Sequence, residues 1–124
     1  KDERLYAANT LIPKFDKVRE LVENNAYIID VREKNEYDNG HIINAVNIPL
    51  SELRDRISEI PKDIPVYLHC RTGQRSYNAA KALGNLGFHN IYNITGSFLG
   101  LSFYEYYNDK RTGRESIVTE YNFR

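Results

Sequence analysis

The chain has 124 residues, of which 41% are hydrophobic and 27% are charged, and its 17 basic side chains balance 17 acidic ones. This length suits one domain with a single buried core, and the composition is ordinary for a globular protein. A neutral chain without a long apolar run predicts neither a nucleic-acid partner nor a membrane partner. The single cysteine excludes an internal disulfide and favours a reducing, cytoplasmic setting.

Strands and helices are predicted to alternate along the chain. Residues 1–9 are polar and form a lead-in or linker. Apolar side chains at helical spacing predict helices over 13–23, 51–60 and 76–86, with a short helical turn within 33–40. Short apolar runs predict strands over 26–29, 45–48, 66–68 and 91–94. Ser51 is the expected cap of the helix over 51–60, and Leu86 is expected to be buried by the helix over 76–86, which Gly87 ends.

This alternation indicates an α/β fold built on a parallel sheet. In such sheets functional groups gather beyond the carboxyl ends of the strands, where Asp30 and Cys70 follow two of the predicted strands. We assign residues 10–97 to this domain. Residues 98–124 form an aromatic-rich C-terminal helix and tail, which we expect to pack on the domain. The alternative is that these aromatic residues form a surface for a partner protein.

The stretch from Cys70 to Ser76 has the strongest chemical signal in the sequence. It reads Cys-Arg-Thr-Gly-Gln-Arg-Ser and connects a predicted strand to a predicted helix. Backbone N–H groups of such a loop and of the helix start favour a thiolate at Cys70, as do the charges of Arg71 and Arg75. No Asp or Glu occurs between residues 64 and 104, so the loop is expected to have basic surroundings. A lone cysteine is more often a small buried hydrophobic residue, but this setting favours a reactive one.

The same loop is suited to holding an anion. Gly73 permits a tight turn, and further hydrogen-bond donors come from Thr72, Gln74 and Ser76. The spacing from Cys70 to Arg75 is C-x4-R, one residue shorter than the C-x5-R loop that encloses a tetrahedral phosphate in cysteine phosphatases. A smaller ring of amides suits a single additional sulfur atom on the cysteine. The loop therefore favours sulfur transfer over phosphate ester hydrolysis.

Two separate motifs resemble the signatures of the rhodanese (sulfurtransferase) family, and the resemblance covers residues 12–96. The first motif consists of Asp30-Val31-Arg32, Glu36-Tyr37, Gly40-His41-Ile42, Ala45 and Asn47-Ile48-Pro49. The second is the stretch 70–76, followed by Ala79, Ala80, Leu83, Leu86, Gly87 and Phe88. The resemblance implies a three-layer domain in which helices flank a central parallel sheet. It also implies a persulfide intermediate on Cys70, held by the amides of the 70–75 loop.

The resemblance also implies roles for individual residues. Cys70 is the nucleophile that accepts the sulfane sulfur, while Arg71 and Arg75 steer and bind an anionic donor. The residues expected to support the site structurally are Asp30, Arg32 and His41. Three separated histidines and one cysteine do not form a ligand set, so no metal is predicted.

The absence of a second cysteine predicts where the sulfur goes. Cys70 cannot form an intramolecular disulfide, so the sulfur must leave to an outside acceptor such as cyanide, a small thiol or the cysteine of a partner protein. The expected mechanism is a two-step double displacement, with thiosulfate or a persulfide as donor. The alternatives are a non-catalytic rhodanese-like interaction module and, ranked lower, a cysteine phosphatase.

The loop further resembles those of rhodanese domains fused behind flavin-dependent pyridine nucleotide-disulfide reductases, such as coenzyme A disulfide reductase and persulfide reductase. The polar lead-in and the lack of a starting Met are compatible with the carboxyl-terminal domain of such a protein. No G-x-G-x-x-G motif occurs, so no cofactor is predicted in this domain, and FAD, NADH or coenzyme A would belong to a preceding one. The Gly96-Ser97 pair departs from the Gly-Gly pair and Trp-containing helix that are common in the family.

Overall fold

A computed structural model of the chain describes residues 10–11, 15–94 and 98–121. The lead-in predicted for residues 1–9 and the Gly96-Ser97 pair lie outside the described residues. The five strands are β1 (Thr10–Leu11), β2 (Tyr27–Asp30), β3 (Val46–Asn47), β4 (Val66–His69) and β5 (Ile91–Ile94). The α-helices are α1 (Phe15–Glu23), α2 (Lys34–Asp38), α3 (Gln74–Asn85) and α4 (Phe98–Thr112).

The strands form one parallel sheet in the order β1-β5-β4-β2-β3. The central strands β2 and β4 are paired along their length, and their last residues, Asp30 and His69, lie opposite each other in the register. A parallel sheet with helices between its strands confirms the predicted α/β fold. The pairing also brings the residues that follow β2 and β4 to the same edge of the sheet, as predicted.

Apolar side chains cover both faces of the sheet. Successive residues of a strand point to opposite faces, so Ile29 of β2 joins one cluster and Ile28 joins the other. The first cluster contains Ala79, Ala80 and Leu83 of α3. The second cluster contains Val18 and Leu21 of α1 and Phe98 and Leu101 of α4. The fold therefore has three layers, with α3 on one face of the sheet and α1 and α4 on the other.

Two local predictions were wrong. Residues 51–60 form two 3₁₀ segments, Leu50–Glu52 and Arg54–Glu59, rather than one α-helix. The apolar side chains in this region recur every three or four residues, a spacing that 3₁₀ turns also satisfy. The backbone leaves helical geometry at Arg56 (φ −117°, ψ 21°), and the Ser51 hydroxyl donates to Glu33 Oε2 at 3.4 Å instead of capping a helix.

The second wrong prediction concerns the end of α3. Leu86 is 42% exposed, whereas Phe88 is buried in the first apolar cluster. Gly87 adopts a left-handed conformation (φ 95°) that ends the helix, as predicted. The resulting turn carries the chain back toward the sheet, so the aromatic ring two residues later fills the core in place of Leu86.

The C-terminal segment packs against α1 and the sheet. Ile117 and Val118 are buried in the second apolar cluster, and Val118 forms an isolated antiparallel bridge with Ile42. The other side of α4 carries aromatic residues that are exposed, including Phe103 (52%) and Tyr107 (66%). Within the residues that the structure describes, no helix is long and apolar enough to cross a membrane.

Candidate active site

Cys70 is the first residue after β4, and α3 begins four residues later at Gln74. Gly73 lies between them in a left-handed conformation (φ 99°, ψ −14°). This conformation turns the chain so sharply that the loop curls around the cysteine side chain. A residue with a Cβ atom adopts it only with strain, which explains the glycine at this position.

The Cys70 sulfur is buried and accepts hydrogen bonds from two backbone N–H groups. The backbone N–H groups of Gly73 and Ser76 donate to Sγ at 3.0 and 3.3 Å, and the residue is 1% exposed. The Ser76 hydroxyl lies 3.5 Å from Sγ and donates to the Gly73 carbonyl at 3.1 Å. Oriented N–H groups at the start of a helix stabilise an anion. The loop therefore directs two N–H groups at the sulfur, the arrangement that the predicted anion site requires.

Arg75 is bound to a carboxylate from another element. Its Nη1 and Nη2 donate to Oε1 and Oε2 of Glu36 on α2, at 2.7 and 3.0 Å. Glu36 Oε1 also accepts the backbone N–H of Glu33 at 2.9 Å. The Arg75 hydrogen bonds are the main reason that the pKa of Glu36 lies below its ordinary value; burial opposes them less strongly. The guanidinium of Arg75 therefore has an anionic partner within the protein. Its predicted role in binding a donor stays a prediction.

The remaining residues of the loop face outward to different degrees. Arg71 is partly exposed, and its carbonyl accepts the backbone N–H of Phe98 at 2.9 Å, which attaches the loop to the first residue of α4. Thr72 and Gln74 are exposed, and Gln74 Nε2 donates to Asn78 Oδ1 at 3.2 Å. These positions form the outer rim of the loop, above the buried sulfur.

Asp30 and Arg32 form a buried ion pair at the end of β2. Arg32 Nε and Nη2 donate to the two Asp30 oxygens at distances from 2.7 to 3.1 Å, and Nη2 also donates to the Gly40 carbonyl at 2.8 Å. The Arg32 guanidinium lies over the Phe98 ring, 4.4 Å from its centroid. Burial alone would raise the pKa of Asp30, but His69 and Arg32 outweigh it and hold that pKa well below its usual range.

His69 connects this ion pair to the cysteine backbone. Its Nδ1 lies 3.1 Å from the Cys70 carbonyl oxygen, and its Nε2 lies 3.3 Å from Asp30 Oδ2, although the latter geometry is not that of a good hydrogen bond. The imidazole is thus directed at the backbone and at Asp30. The buried contacts of Asp30 join the ends of β2 and β4.

His41 lies at a different place. Its ring stacks on Tyr37 (3.6 Å between centroids), and Nδ1 is 2.7 Å from the Tyr37 carbonyl. Its backbone exchanges hydrogen bonds with Thr119 of the C-terminal segment. These contacts are compatible with the predicted structural role, which stays a prediction. Among the described residues, no group of three His, Cys, Asp or Glu side chains is placed to hold a metal ion.

Of the predicted loop residues, the structure therefore brings Gly73 and Ser76 to the Cys70 sulfur and leaves the others on the outer side of the loop or, for Arg75, on Glu36. Sequence reasoning missed the contact of Glu36 with Arg75 and the position of Phe98 beside Arg32. Glu36 belonged to a recognised motif but had no assigned role. Neither contact has a signal in local spacing, because each joins residues more than 35 positions apart.

A comparison with models of protein families agrees with the resemblance drawn from the two motifs. A family model described as rhodanese-like domain matches residues 14–102, which include the whole loop and both motifs. The chain belongs to the rhodanese-like family. The resemblance drawn from the two motifs is therefore confirmed, and the three-layer arrangement of this rhodanese-like domain is the one that it implied.

Three individual proteins are similar to this rhodanese-like domain over part of their length. The protein YqhL of Bacillus subtilis is 52% identical over 73 residues, which are 59% of this chain and 58% of that protein. The thiosulfate sulfurtransferase GlpE of Shewanella oneidensis is 37% identical over 71 residues, 57% of this chain and 70% of that enzyme. The reduced CoADR-RHD of Bacillus anthracis is 42% identical with a TM-score of 0.65, over 73% of this chain and 16% of that chain. The chain thus spans less than two thirds of YqhL and a small part of CoADR-RHD.

Proposed function

We propose that this rhodanese-like domain is a sulfurtransferase that moves sulfane sulfur from thiosulfate or a persulfide to a thiol or to cyanide through a persulfide on Cys70. The observation that carries the proposal is the pair of N–H groups, from Gly73 and Ser76, that donate to the cysteine sulfur. The name of the GlpE relative, thiosulfate sulfurtransferase, supports the same reaction class.

The proposed reaction has two steps. In the first, the Cys70 thiolate attacks the outer sulfur of the donor, the S–S bond of the donor breaks, and its electron pair leaves with sulfite or a thiolate. The cysteine then carries a persulfide, whose charge the loop amides stabilise. In the second step an acceptor nucleophile attacks the outer sulfur, and Cys70 leaves as thiolate. No oxidant or reductant is consumed, because the sulfane sulfur passes between nucleophiles.

The decisive experiment follows the sulfur on the protein. Incubation with thiosulfate is expected to add the mass of one sulfur atom to Cys70, and addition of cyanide is expected to remove it as thiocyanate. Cys70→Ala is expected to give neither the mass gain nor thiocyanate, since it removes the nucleophile. Thiocyanate formation by Cys70→Ala at the wild-type rate would contradict the proposal.

The two alternative functions can be tested on the same wild-type protein. A non-catalytic interaction module would acquire no sulfur from any donor, and the intact Cys70 with its N–H donors argues against this alternative. A cysteine phosphatase would hydrolyse an aryl phosphate. The short C-x4-R loop, with the Arg75 guanidinium bound to Glu36, does not favour a tetrahedral phosphate.

The proposal also covers the sulfur acceptor and the kind of protein in which this domain works. A small sulfur-containing anion or thiol, or a cysteine of a partner protein, is the proposed partner, because Cys70 is the chain's only cysteine. The resemblance of the loop to those of reductase-fused rhodanese domains, together with the similarity to CoADR-RHD, favours a domain that works beside a reductase. In that arrangement FAD, NADH or coenzyme A would bind to the reductase part, and this domain would hold the persulfide.

A further inference from the structure

The ion pair between Arg75 and Glu36 changes the charge that a sulfur donor meets. Two N–H groups of the guanidinium are bound to the two oxygens of one carboxylate, at 2.7 and 3.0 Å. Arg75 is close enough to Cys70 for the cysteine's charge to raise the pKa of Arg75, although the Glu36 contact is the largest cause of that rise. A carboxylate therefore lies beside the cation that was expected to attract anions to the sulfur.

Glu36 is held in this position from both sides. It lies in the first turn of α2, where its Oε1 accepts the Glu33 N–H at 2.9 Å while its two oxygens bind Arg75. The other charged groups that act on this site are Arg32, which lowers the pKa of Glu36, and Asp30, which raises that of Arg75. Glu36 is consequently a fixed negative charge at neutral pH.

We propose that Glu36 sets the charge selectivity of the sulfur donor, so that the site disfavours a dianionic donor relative to a monoanionic one. The inference rests on the proposed sulfurtransferase function and specifies its substrate class. A fixed negative charge repels a dianion about twice as strongly as a monoanion at the same distance. The donors favoured by this arrangement carry one negative charge near the transferable sulfur, as an alkyl persulfide or a thiosulfonate does.

Two donors of similar shape differ in charge but transfer their sulfur by the same reaction. Thiosulfate is a dianion, and the methanethiosulfonate anion replaces one of its charged oxygens with a methyl group. The Cys70 thiolate takes the outer sulfur from either one, the S–S bond breaks, and the electron pair leaves with sulfite or with methanesulfinate. Both reactions leave the same Cys70 persulfide. Because cyanide then removes the sulfur in a common second step, kcat/KM for each donor reports the first step alone.

The test compares these two kcat/KM values in the wild-type domain and in Glu36→Gln. Loss of the carboxylate is expected to raise the ratio of the thiosulfate value to the methanethiosulfonate value roughly fivefold at low ionic strength. The increase is expected to shrink as salt is added, since the charges are partly exposed to solvent. A purely structural role for Glu36 would change both values by the same factor.

Two control variants make the result specific. Arg56 and Glu59 form a bidentate pair of the same kind, with both distances 2.9 Å, outside the catalytic loop. Glu59→Gln removes the same charge from that pair and is expected to leave the ratio unchanged. Glu36→Asp keeps the charge but shortens the side chain, so its ratio is expected to stay within about twofold of wild type even where both values fall.

The outcomes separate this inference from the proposed function. A Glu36→Gln ratio equal to that of wild type, or lower, would overturn the charge selectivity while leaving sulfur transfer intact. A wild-type domain that acquires no sulfur from either donor would overturn the proposed function itself. A Glu36→Gln variant that loses both activities, or a Glu36→Asp variant whose ratio rises as far as that of Glu36→Gln, would also contradict the charge selectivity, because the effect would then come from the position of the side chain and not from its charge.

Discussion

Gly73 has two roles at the scale of a single residue. Its left-handed backbone (φ 99°) turns the loop, and its N–H makes the shortest hydrogen bond to the Cys70 sulfur, at 3.0 Å. A side chain at this position would strain the turn and move the N–H away from the sulfur. The residue therefore links the shape of the loop to the stability of the proposed persulfide.

The variant Gly73→Ala tests this link. Strain in the left-handed region is expected to lower the free energy of unfolding by roughly 1–2 kcal/mol. Displacement of the N–H is expected to slow formation of the Cys70 persulfide roughly tenfold or more, by analogy with the loss of one oxyanion donor. Rapid mixing with thiosulfate, followed by quenching and mass spectrometry of the protein, measures this rate.

Gly87 provides a matched control at the other end of α3. It has a similar left-handed backbone (φ 95°), and an added Cβ would meet nothing within 4 Å. Gly87→Ala is expected to lose comparable stability but to form the persulfide at the wild-type rate. Equal slowing in both variants would show that the effect comes from strain in α3 rather than from the N–H at the sulfur.

At the scale of an element, α4 is attached to α1 by a buried group of charges. Glu105 is fully buried, and its Oε1 accepts hydrogen bonds from Arg19 at 2.8 Å and from Arg114 at 2.9 Å. Asp109 accepts from the same two arginines, at 3.2 and 2.7 Å. Each buried carboxylate depends on these cations, because an unpaired buried charge is strongly destabilising.

The variant Arg19→Ala is expected to lower the free energy of unfolding by about 3 kcal/mol, because it leaves Glu105 and Asp109 with one cation instead of two. Lys17→Ala is the control: Lys17 lies on the same helix and pairs with Glu20 at 3.5 Å on the exposed surface. Its loss is expected to cost less than about 0.5 kcal/mol. Denaturant unfolding of both variants gives the comparison, and equal losses would mean that the buried group does not hold α4 in place.

At the scale of the whole molecule, the Asp30 ion pair predicts how stability changes with pH. The pKa of Asp30 in the folded protein lies well below its unfolded value, because His69 and Arg32 outweigh the effect of burial. Between these two pKa values the unfolded chain binds a proton that the folded chain does not. Stability from this group is therefore complete above the unfolded pKa, near pH 4, and decreases as the pH falls further.

The variant Asp30→Asn is expected to be less stable than wild type at neutral pH, because Arg32 and His69 lose their anionic partner, and to show a weaker decrease of stability below about pH 4. Asp38→Asn alters an exposed carboxylate that pairs with Lys34 and serves as the control. Unfolding by denaturant at several pH values measures both. A steep acid decrease that persists unchanged in Asp30→Asn would assign it to other carboxylates.

The sequence by itself determined the α/β fold with its parallel sheet and the position of the Cys70 loop between a strand and a helix, whereas the order of the strands came from the structure. Short apolar runs become buried parallel strands, and a Cys-to-Arg loop with a glycine in it allows few other backbone paths. These are local properties, so residues close in the chain suffice to predict them. The segment over 51–60 shows the limit of this reasoning, because its apolar spacing fits an α-helix and 3₁₀ turns equally well.

Only the tertiary structure decided what surrounds the loop. The absence of Asp and Glu between residues 64 and 104 suggested a basic environment, yet the fold brings Glu36 of α2 onto Arg75 and Asp30 close to His69, the residue before Cys70. Charge acts through space rather than along the chain, so the electrostatics of Cys70 depend on contacts that join distant segments. Residue types near the cysteine predicted the reaction class, and the tertiary structure decided which charged side chains lie beside the loop, with Glu36 of α2 bound to Arg75.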